Sequence, residues 1–167
     1  MKRQLLILLF VLIGIPSLTK AQAIQKGTSI QVGGEVTSPF HLNNTELGTF
    51  KKTLVNRKDK DGNNHVYSGV VLSDILLKAG ASLGKELKGP NLNKCLLVEA
   101  ADGYQVVFGL AELDKAFTDR VIILSDEMDG KPLPAADGPF RIIVQDEKKP
   151  ARCIKQVTGL FVKSTVK

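Results

Sequence analysis

The chain has 167 residues, with 23 lysines and arginines against 17 aspartates and glutamates, and a formal net charge of +6. This length suits one domain with a substantial hydrophobic core. A nucleic-acid-binding protein is not indicated, because the basic residues form no basic helix and there is no tryptophan to stack on bases. Two histidines and two cysteines also supply too few ligands for most transition-metal sites.

Residues 1–23 have the pattern of a secretory signal peptide. Lys2 and Arg3 precede an apolar run over residues 5–15, and small residues follow where signal peptidase cuts. The run is too short for a membrane span, and it lacks a lipid-anchor cysteine and a twin-arginine context. We therefore expect export in the unfolded state to the periplasm or beyond, leaving residues 24–167 as one domain with no membrane span. The leader carries three basic residues and no acidic one up to position 21, so cleavage there lowers the net charge from +6 to +3.

The N-terminal half of the domain is predicted to form three strands and one helix. The strands are expected over residues 28–36, 50–57 and 65–70. The hydrophilic turn at Asp59–Asn64 is not expected to bind calcium, because the glutamate of a calcium loop does not follow it. The helix is predicted to begin at Ser73 as N-cap and to end before Gly80, since glycine tolerates the positive φ of a helix end.

The C-terminal half is dominated by strands. Asp102-Gly103 is typical of a hairpin turn, and Asp129-Gly130 predicts a second one. Strands are expected over residues 95–101, 104–110, 121–124, 140–144 and 154–163, with a short helix over 111–117. The connections are short and strands outnumber helices, so the fold class is α+β with mixed, mainly antiparallel sheets and few short helices.

Three basic residues lie beside turns in this half. Arg141 follows the turn Asp137-Gly138-Pro139, and Arg152 and Lys155 follow a polar loop. A guanidinium group and an ammonium group at strand ends suit an anionic ligand. The alternative is that all three are ordinary solvated charges at a sheet edge.

Several segments in order resemble the sulfite-oxidase-type molybdopterin-binding domain. They are Y-S-G-V-V-L-S-D-I-L-L-K-A-G at 67–80, A-A-D-G-Y-Q-V-V-F at 100–108, and D-G-K-P-L, G-P-F-R-I-I-V and A-R-C-I-K-Q-V-T-G-L-F-V between 129 and 162. The resemblance covers about residues 28–163 and implies that family's α+β fold. It also implies a cofactor cleft contacted by Asn56, Arg57, Arg141, Arg152, Cys153 and Lys155, in which A-R-C-I-K matches a phosphate-contacting R-S-x-K segment.

The sequence departs from the family at the metal ligand. The family holds molybdenum with a pterin dithiolene and one cysteine of a T-L-x-C segment, whereas Thr53-Leu54-Val55 is followed here by Asn56. An amide is a poor ligand where a soft thiolate is needed, and no cysteine lies between residues 24 and 94. Unfolded export would also separate the chain from a cofactor that is inserted in the cytoplasm. We therefore expect no bound metal, although the resemblance keeps molybdopterin itself possible.

The two cysteines leave two alternatives. An oxidising compartment and an even cysteine count favour a disulfide between Cys95 and Cys153. Equally, both can be unpaired thiols that pack as small apolar residues.

Three functional hypotheses follow. The first is a secreted, non-catalytic module whose cleft binds a pterin-like or phosphate-like anion or a periplasmic protein partner. The alternative is an active molybdopterin-dependent oxidoreductase or a subunit of one. A third, a purely structural partner-binding protein, would need an exposed apolar patch.

Overall fold

The computed structural model of the protein describes residues 29–165, so the predicted signal peptide at 1–23 lies outside the described residues. The strands are β1 Ile30–Gly34, β2 Phe40–Leu42, β3 Lys52–Lys58, β4 Asn64–Val71, β5 Lys94–Ala100, β6 Gln105–Gly109, β7 Ile122–Met128, β8 Lys131–Pro132, β9 Arg141–Val144 and β10 Val157–Ser164. The helices are α1 Asn44–Leu47, α2 Leu72–Lys78 and α3 Leu110–Leu113, with short 3-10 turns at Gly84–Glu86, Gly89–Asn93 and Pro150–Arg152. No helix among these residues is both long and apolar enough to cross a membrane.

The strands form two five-stranded sheets. The first sheet has the order β2-β1-β10-β5-β6, and the second has the order β3-β4-β7-β8, with β9 also paired to β7. Only the β1–β10 pair is parallel, and the other strand pairs of the described chain are antiparallel. The predicted α+β class with mixed sheets and few short helices is therefore confirmed.

The main hydrophobic core lies between the two sheets and α2. Alternate residues of each strand face it, as the two-residue period of a strand requires. Among its fully buried members are Val32, Val98, Leu160, Ile75, Leu124 and Ile142.

Helix α2 has its N-cap two residues earlier than predicted, at Val71 instead of Ser73, and lacks the predicted side-chain cap. Strand β4 runs directly into the helix, so Val71 occupies the N-cap position in an extended conformation with no side-chain cap hydrogen bond. Ser73 is instead buried within the first turn. The predicted helix end is correct, because Gly80 follows with a φ of 76°.

A second, smaller core lies on the opposite face of the second sheet. Its apolar members are Val55, Tyr67, Ile123, Leu133 and Ile143. Arg57 and Arg141 lie two residues along the same strands from Val55 and Ile143, so their side chains share this face. Each is only 5% exposed. This face therefore carries two buried cations, and the candidate site is built on them.

Candidate functional site

A pocket of about 350 Å³ is lined by Arg141, one of the two buried arginines. We call it the arginine pocket; it is lined by Asp59, Lys60, Asp61, His65, Met128, Asp137, Arg141, Pro150, Cys153 and Lys155. These residues come from the β3–β4 turn, from β4, from the end of β7, and from β9 and the segments on either side of it, which the second sheet brings together. Four of the lining side chains are basic and three are carboxylates.

Arg141 forms one wall of the pocket. Its Nη1 donates to the Tyr67 hydroxyl at 2.8 Å, to Asp137 Oδ2 at 2.9 Å and to Asp59 Oδ2 at 3.3 Å. The guanidinium also lies over the Tyr67 ring, 5.3 Å from its centroid. All these hydrogen bonds come from a single nitrogen, and the buried Nε has no partner. Arg141 is thus held in place while part of its hydrogen-bonding capacity stays unused.

Arg57 lies beneath the pocket. Its Nη1 donates to the carbonyl oxygen of Val144 at 2.5 Å. Because β4 and β7 separate β3 from β9 within the sheet, this contact requires the sheet to curl strongly around the second core. The Arg57 Nε is 3.5 Å from Asp59 Oδ1, and neither atom has a hydrogen-bond partner.

Asp59 is the anion that holds the two arginines together. It accepts a hydrogen bond from the Tyr67 hydroxyl at 2.7 Å in addition to its contacts with Arg57 and Arg141. Burial, followed by the hydrogen bond to Asp59, raises the pKa of Tyr67 above its ordinary value, so this hydroxyl stays protonated. The cluster is electrostatically organised around one carboxylate, although two guanidinium groups converge on it.

His65 joins the two turns at the mouth of the pocket. Its Nδ1 lies 2.6 Å from Asp129 Oδ2, and its Nε2 lies 3.0 Å from Asp61 Oδ2. Asp129 and then Asp61 raise the pKa of His65 to about 9, and His65 in turn lowers the pKa of Asp61 to about 2. At neutral pH the imidazolium therefore links the β3–β4 turn to the β7–β8 turn with both ring nitrogens donating.

Lys155 and Cys153, from the segment that follows β9, also line the pocket. The Lys155 ammonium lies 2.5 Å from Asp137 Oδ1, and its side chain is 52% exposed. Cys153 is 4% exposed, and its sulfur accepts a hydrogen bond from the Val144 amide. Burial raises the pKa of the Cys153 thiol, so its environment favours the neutral form.

The structure brings together only part of the predicted set of cofactor residues. Arg141, Cys153 and Lys155 line the pocket and Arg57 supports it, but Asn56 and Arg152 do not contribute to it. Asn56 is exposed, because it lies on the opposite face of β3 from its neighbours Val55 and Arg57. The structure therefore places the Asn56 side chain on the outward face of β3, away from the pocket.

Arg152 has a different set of contacts. Its guanidinium pairs with Glu147 and Glu112, donates to the carbonyl oxygen of Val107 at 3.3 Å, and lies 4.6 Å from the centroid of the Phe108 ring. These contacts attach the 3-10 turn at Pro150–Arg152 to the free edge of β6. Arg152 therefore lies outside the arginine pocket, with its guanidinium paired to Glu112 and Glu147, whereas Lys155 lines the pocket.

The disulfide considered from the sequence is not formed, and both cysteines are free thiols. The Cys95 sulfur lies 3.5 Å from the carbonyl oxygen of Lys163 in the first sheet. The Cys153 sulfur faces β9 of the second sheet. Their different sheets and different partners explain why the two sulfurs do not pair.

Sequence reasoning predicted only Arg141, Cys153 and Lys155 of the residues that line the pocket. Among the members it missed are three that hold Arg141, namely Asp59, Tyr67 and Asp137. A four-residue spacing of opposite charges was a usable signal for one of them, because Asp137 and Arg141 pair across that interval. The same spacing relates Asp61 to His65. Tyr67 and Asp59 gave no such signal, since their role depends on a cation from a strand 74 residues or more away.

Comparisons with known proteins agree on the fold. Residues 18–166 match the family model described as the oxidoreductase molybdopterin binding domain. Among solved structures, the chain is similar to the sulfane dehydrogenase SoxCD from Paracoccus pantotrophus, with a TM-score of 0.62 and 19% identity. That similarity covers 83% of this chain but 39% of the other, so this chain spans well under half of its neighbour's length. No curated protein matches the sequence.

The pocket fits the anionic part of a molybdopterin but does not fit its metal. A soft metal site needs a thiolate, and position 56 supplies an outward-facing amide. The thiol that does line the pocket, Cys153, is buried and has a raised pKa. Within residues 29–165, no group of three His, Cys, Asp or Glu side chains is arranged to hold a metal ion. Arg141, Lys60 and Lys155, in contrast, are donors of the kind that bind phosphate oxygens.

Proposed function

Because this chain belongs to the oxidoreductase molybdopterin binding domain family, we propose that it is a binding module that takes a small oxyanion, phosphate-like or pterin-phosphate-like, into the arginine pocket. The observation that carries the proposal is the buried Arg141, whose Nε is unpartnered and whose hydrogen bonds all come from Nη1. A buried donor without a partner costs free energy, and a bound oxyanion that draws the guanidinium into new contacts offsets that cost.

The charges of the pocket support an anionic ligand. With His65 protonated, the lining carries one more positive than negative charge, and Arg57 beneath it adds another. Lys155 is half exposed and can turn from Asp137 toward a ligand at little cost. Lys60 also suits a phosphate ligand, because its ammonium group is a compact charge on a flexible side chain that can adapt to the position of the ligand.

We further propose that the module acts without redox chemistry of its own, after export to the periplasm. The outward-facing Asn56 and the neutral, buried Cys153 support the absence of a thiolate metal ligand. The basic start, short apolar run and small residues of positions 1–23 support export. Its partners are then a small anionic ligand, or a periplasmic protein that presents an acidic group to the same pocket.

The proposal is tested by calorimetric titration of the purified protein with inorganic phosphate and pyrophosphate. We expect saturable binding that Lys155→Ala weakens about tenfold, near the lower end of the range for a charge-assisted contact because this side chain is half exposed. Lys115→Ala is the matched control, because Lys115 is an exposed lysine outside the pocket. Absence of saturable binding, or equal affinities for the two variants, contradicts anion binding in this pocket.

Metal analysis tests the non-catalytic part separately. Protein purified from its native compartment is expected to carry well under one molybdenum or tungsten per chain. Stoichiometric metal would favour the oxidoreductase alternative, whatever the outcome of the phosphate titration.

A further inference from the structure

The outer face of the first sheet carries a row of apolar side chains. Phe161, Leu97 and Val107 lie side by side on β10, β5 and β6, because the strand registers pair Phe161 with Leu97 and Leu97 with Val107. All three point away from the main core, since their neighbours in sequence are the buried ones. Val107 is 49% exposed, and the other two keep part of their surface in solvent.

Glycines make this face flat beside the row. The Phe161 ring lies against Gly159, where any β-carbon would clash with it, and 3.7 Å from where a β-carbon of Gly33 would stand. The ring is therefore laid along the sheet instead of projecting from it. A flat sheet face with one aromatic and two aliphatic side chains suits packing against another flat sheet face.

Opposite charges flank the row at its two ends. Lys163 lies two residues beyond Phe161 on β10, and Glu99 lies two residues beyond Leu97 on the antiparallel strand β5. The two charges are therefore at opposite ends of the same face. A two-fold axis parallel to the sheet and perpendicular to its strands exchanges these ends. It places each apolar residue opposite its own copy and each Lys163 within one strand spacing of the other copy's Glu99.

We propose that this face binds a second copy of the chain, in an antiparallel, two-fold symmetric packing of sheet on sheet. The interface is isologous, as in most homodimers. Its centre is the row of Phe161, Leu97 and Val107, and two Lys163–Glu99 pairs close its edges. This surface is independent of the arginine pocket, which lies on the other sheet.

The size of the face predicts a weak dimer. Four strands spaced by about 4.8 Å, each contributing about five residues at about 3.4 Å, give a footprint of about 300 Å² per copy. Stable complexes bury about 800 Å² per partner, so we expect a dissociation constant on the order of 0.1 mM.

Sedimentation of the purified protein, from about 0.01 to about 1 mM, tests the proposal across the predicted dissociation constant. We expect a concentration-dependent monomer–dimer equilibrium. Leu97→Lys should weaken it at least tenfold, because the two lysines would face each other across the axis, and Val107→Lys should act in the same direction. Leu54→Lys is the matched control, since Leu54 is an aliphatic side chain that is 69% exposed on the second sheet.

Charge reversal gives a second test that does not depend on the apolar row. Lys163→Glu and Glu99→Lys should each weaken association about three- to tenfold, and the double variant should recover most of the loss. Thermal melts of each variant confirm that it is folded. A protein that stays monomeric up to 1 mM, a dimer that Leu97→Lys leaves intact, or a double charge reversal without recovery overturns the proposal.

Discussion

Replacing Asp59 with asparagine tests whether the buried arginines depend on one carboxylate. The substitution keeps the shape of the side chain but removes the charge that faces Arg57 and Arg141 and accepts from Tyr67. Breaking a buried ion pair from one side costs about 3–5 kcal/mol, because the remaining charge stays buried and uncompensated. Two features reduce this value here: the Asp59 side chain is 17% exposed, and Asp137 still pairs with Arg141. We therefore expect a loss of about 2–3 kcal/mol in the free energy of unfolding.

Thermal and urea unfolding of the Asp59→Asn variant measure this loss. A domain of this size loses about 3 °C in Tm per kcal/mol, so Tm should fall by about 6–9 °C. Phosphate should raise the Tm of the variant more than that of the unchanged protein, since an added anion replaces the lost carboxylate. Asp126→Asn is the control, because its cationic partner Lys52 is 32% exposed and not buried, so breaking this pair should cost less than about 1 kcal/mol. A fall of less than about 2 °C for Asp59→Asn would refute the role assigned to this carboxylate.

Three further predictions concern residues around the site. Because the folded state raises the pKa of His65 to about 9, its contribution to stability is complete below the ordinary value of 6.5 and is lost as pH rises through about 9. The fall of Tm over this interval should flatten in His65→Gln, and an unchanged slope contradicts the link that His65 makes between Asp61 and Asp129. Thiol titration of denatured, non-reduced protein should find two reactive thiols, Cys95 and Cys153. If no reactive thiol is found, the alternative of a Cys95–Cys153 disulfide is correct. Arg152→Ala should lower Tm but change phosphate affinity by no more than about twofold, since the partners of Arg152 are Glu147 and Glu112. A loss of phosphate affinity comparable to that of Lys155→Ala would show that Arg152 contributes to anion binding.

The sequence by itself determined the order and type of most elements. The hairpin at Asp102-Gly103 and the turn at Asp129-Gly130 were predicted from local chemistry, and Gly103 and Gly130 have φ values of 84° and 72°. The end of α2 at Gly80 was also predicted, for the same reason. These features depend on a few adjacent residues, so local steric preference is enough to specify them. The family resemblance, carried by several short segments in order, was likewise available before the fold and is confirmed.

Only the tertiary structure decided which charged residues share a site. Arg152 and Lys155 are three residues apart, yet one pairs with Glu147 and Glu112 while the other pairs with Asp137 in the arginine pocket. Asn56 and Arg57 are adjacent, yet the pleat of β3 sends their side chains to opposite faces. Conversely, Arg141 meets Tyr67 and Asp59 across 74 and 82 residues of chain. Sequence spacing does not encode such partners, because they follow from strand register and from the curl of the second sheet, which the packing of the whole chain sets.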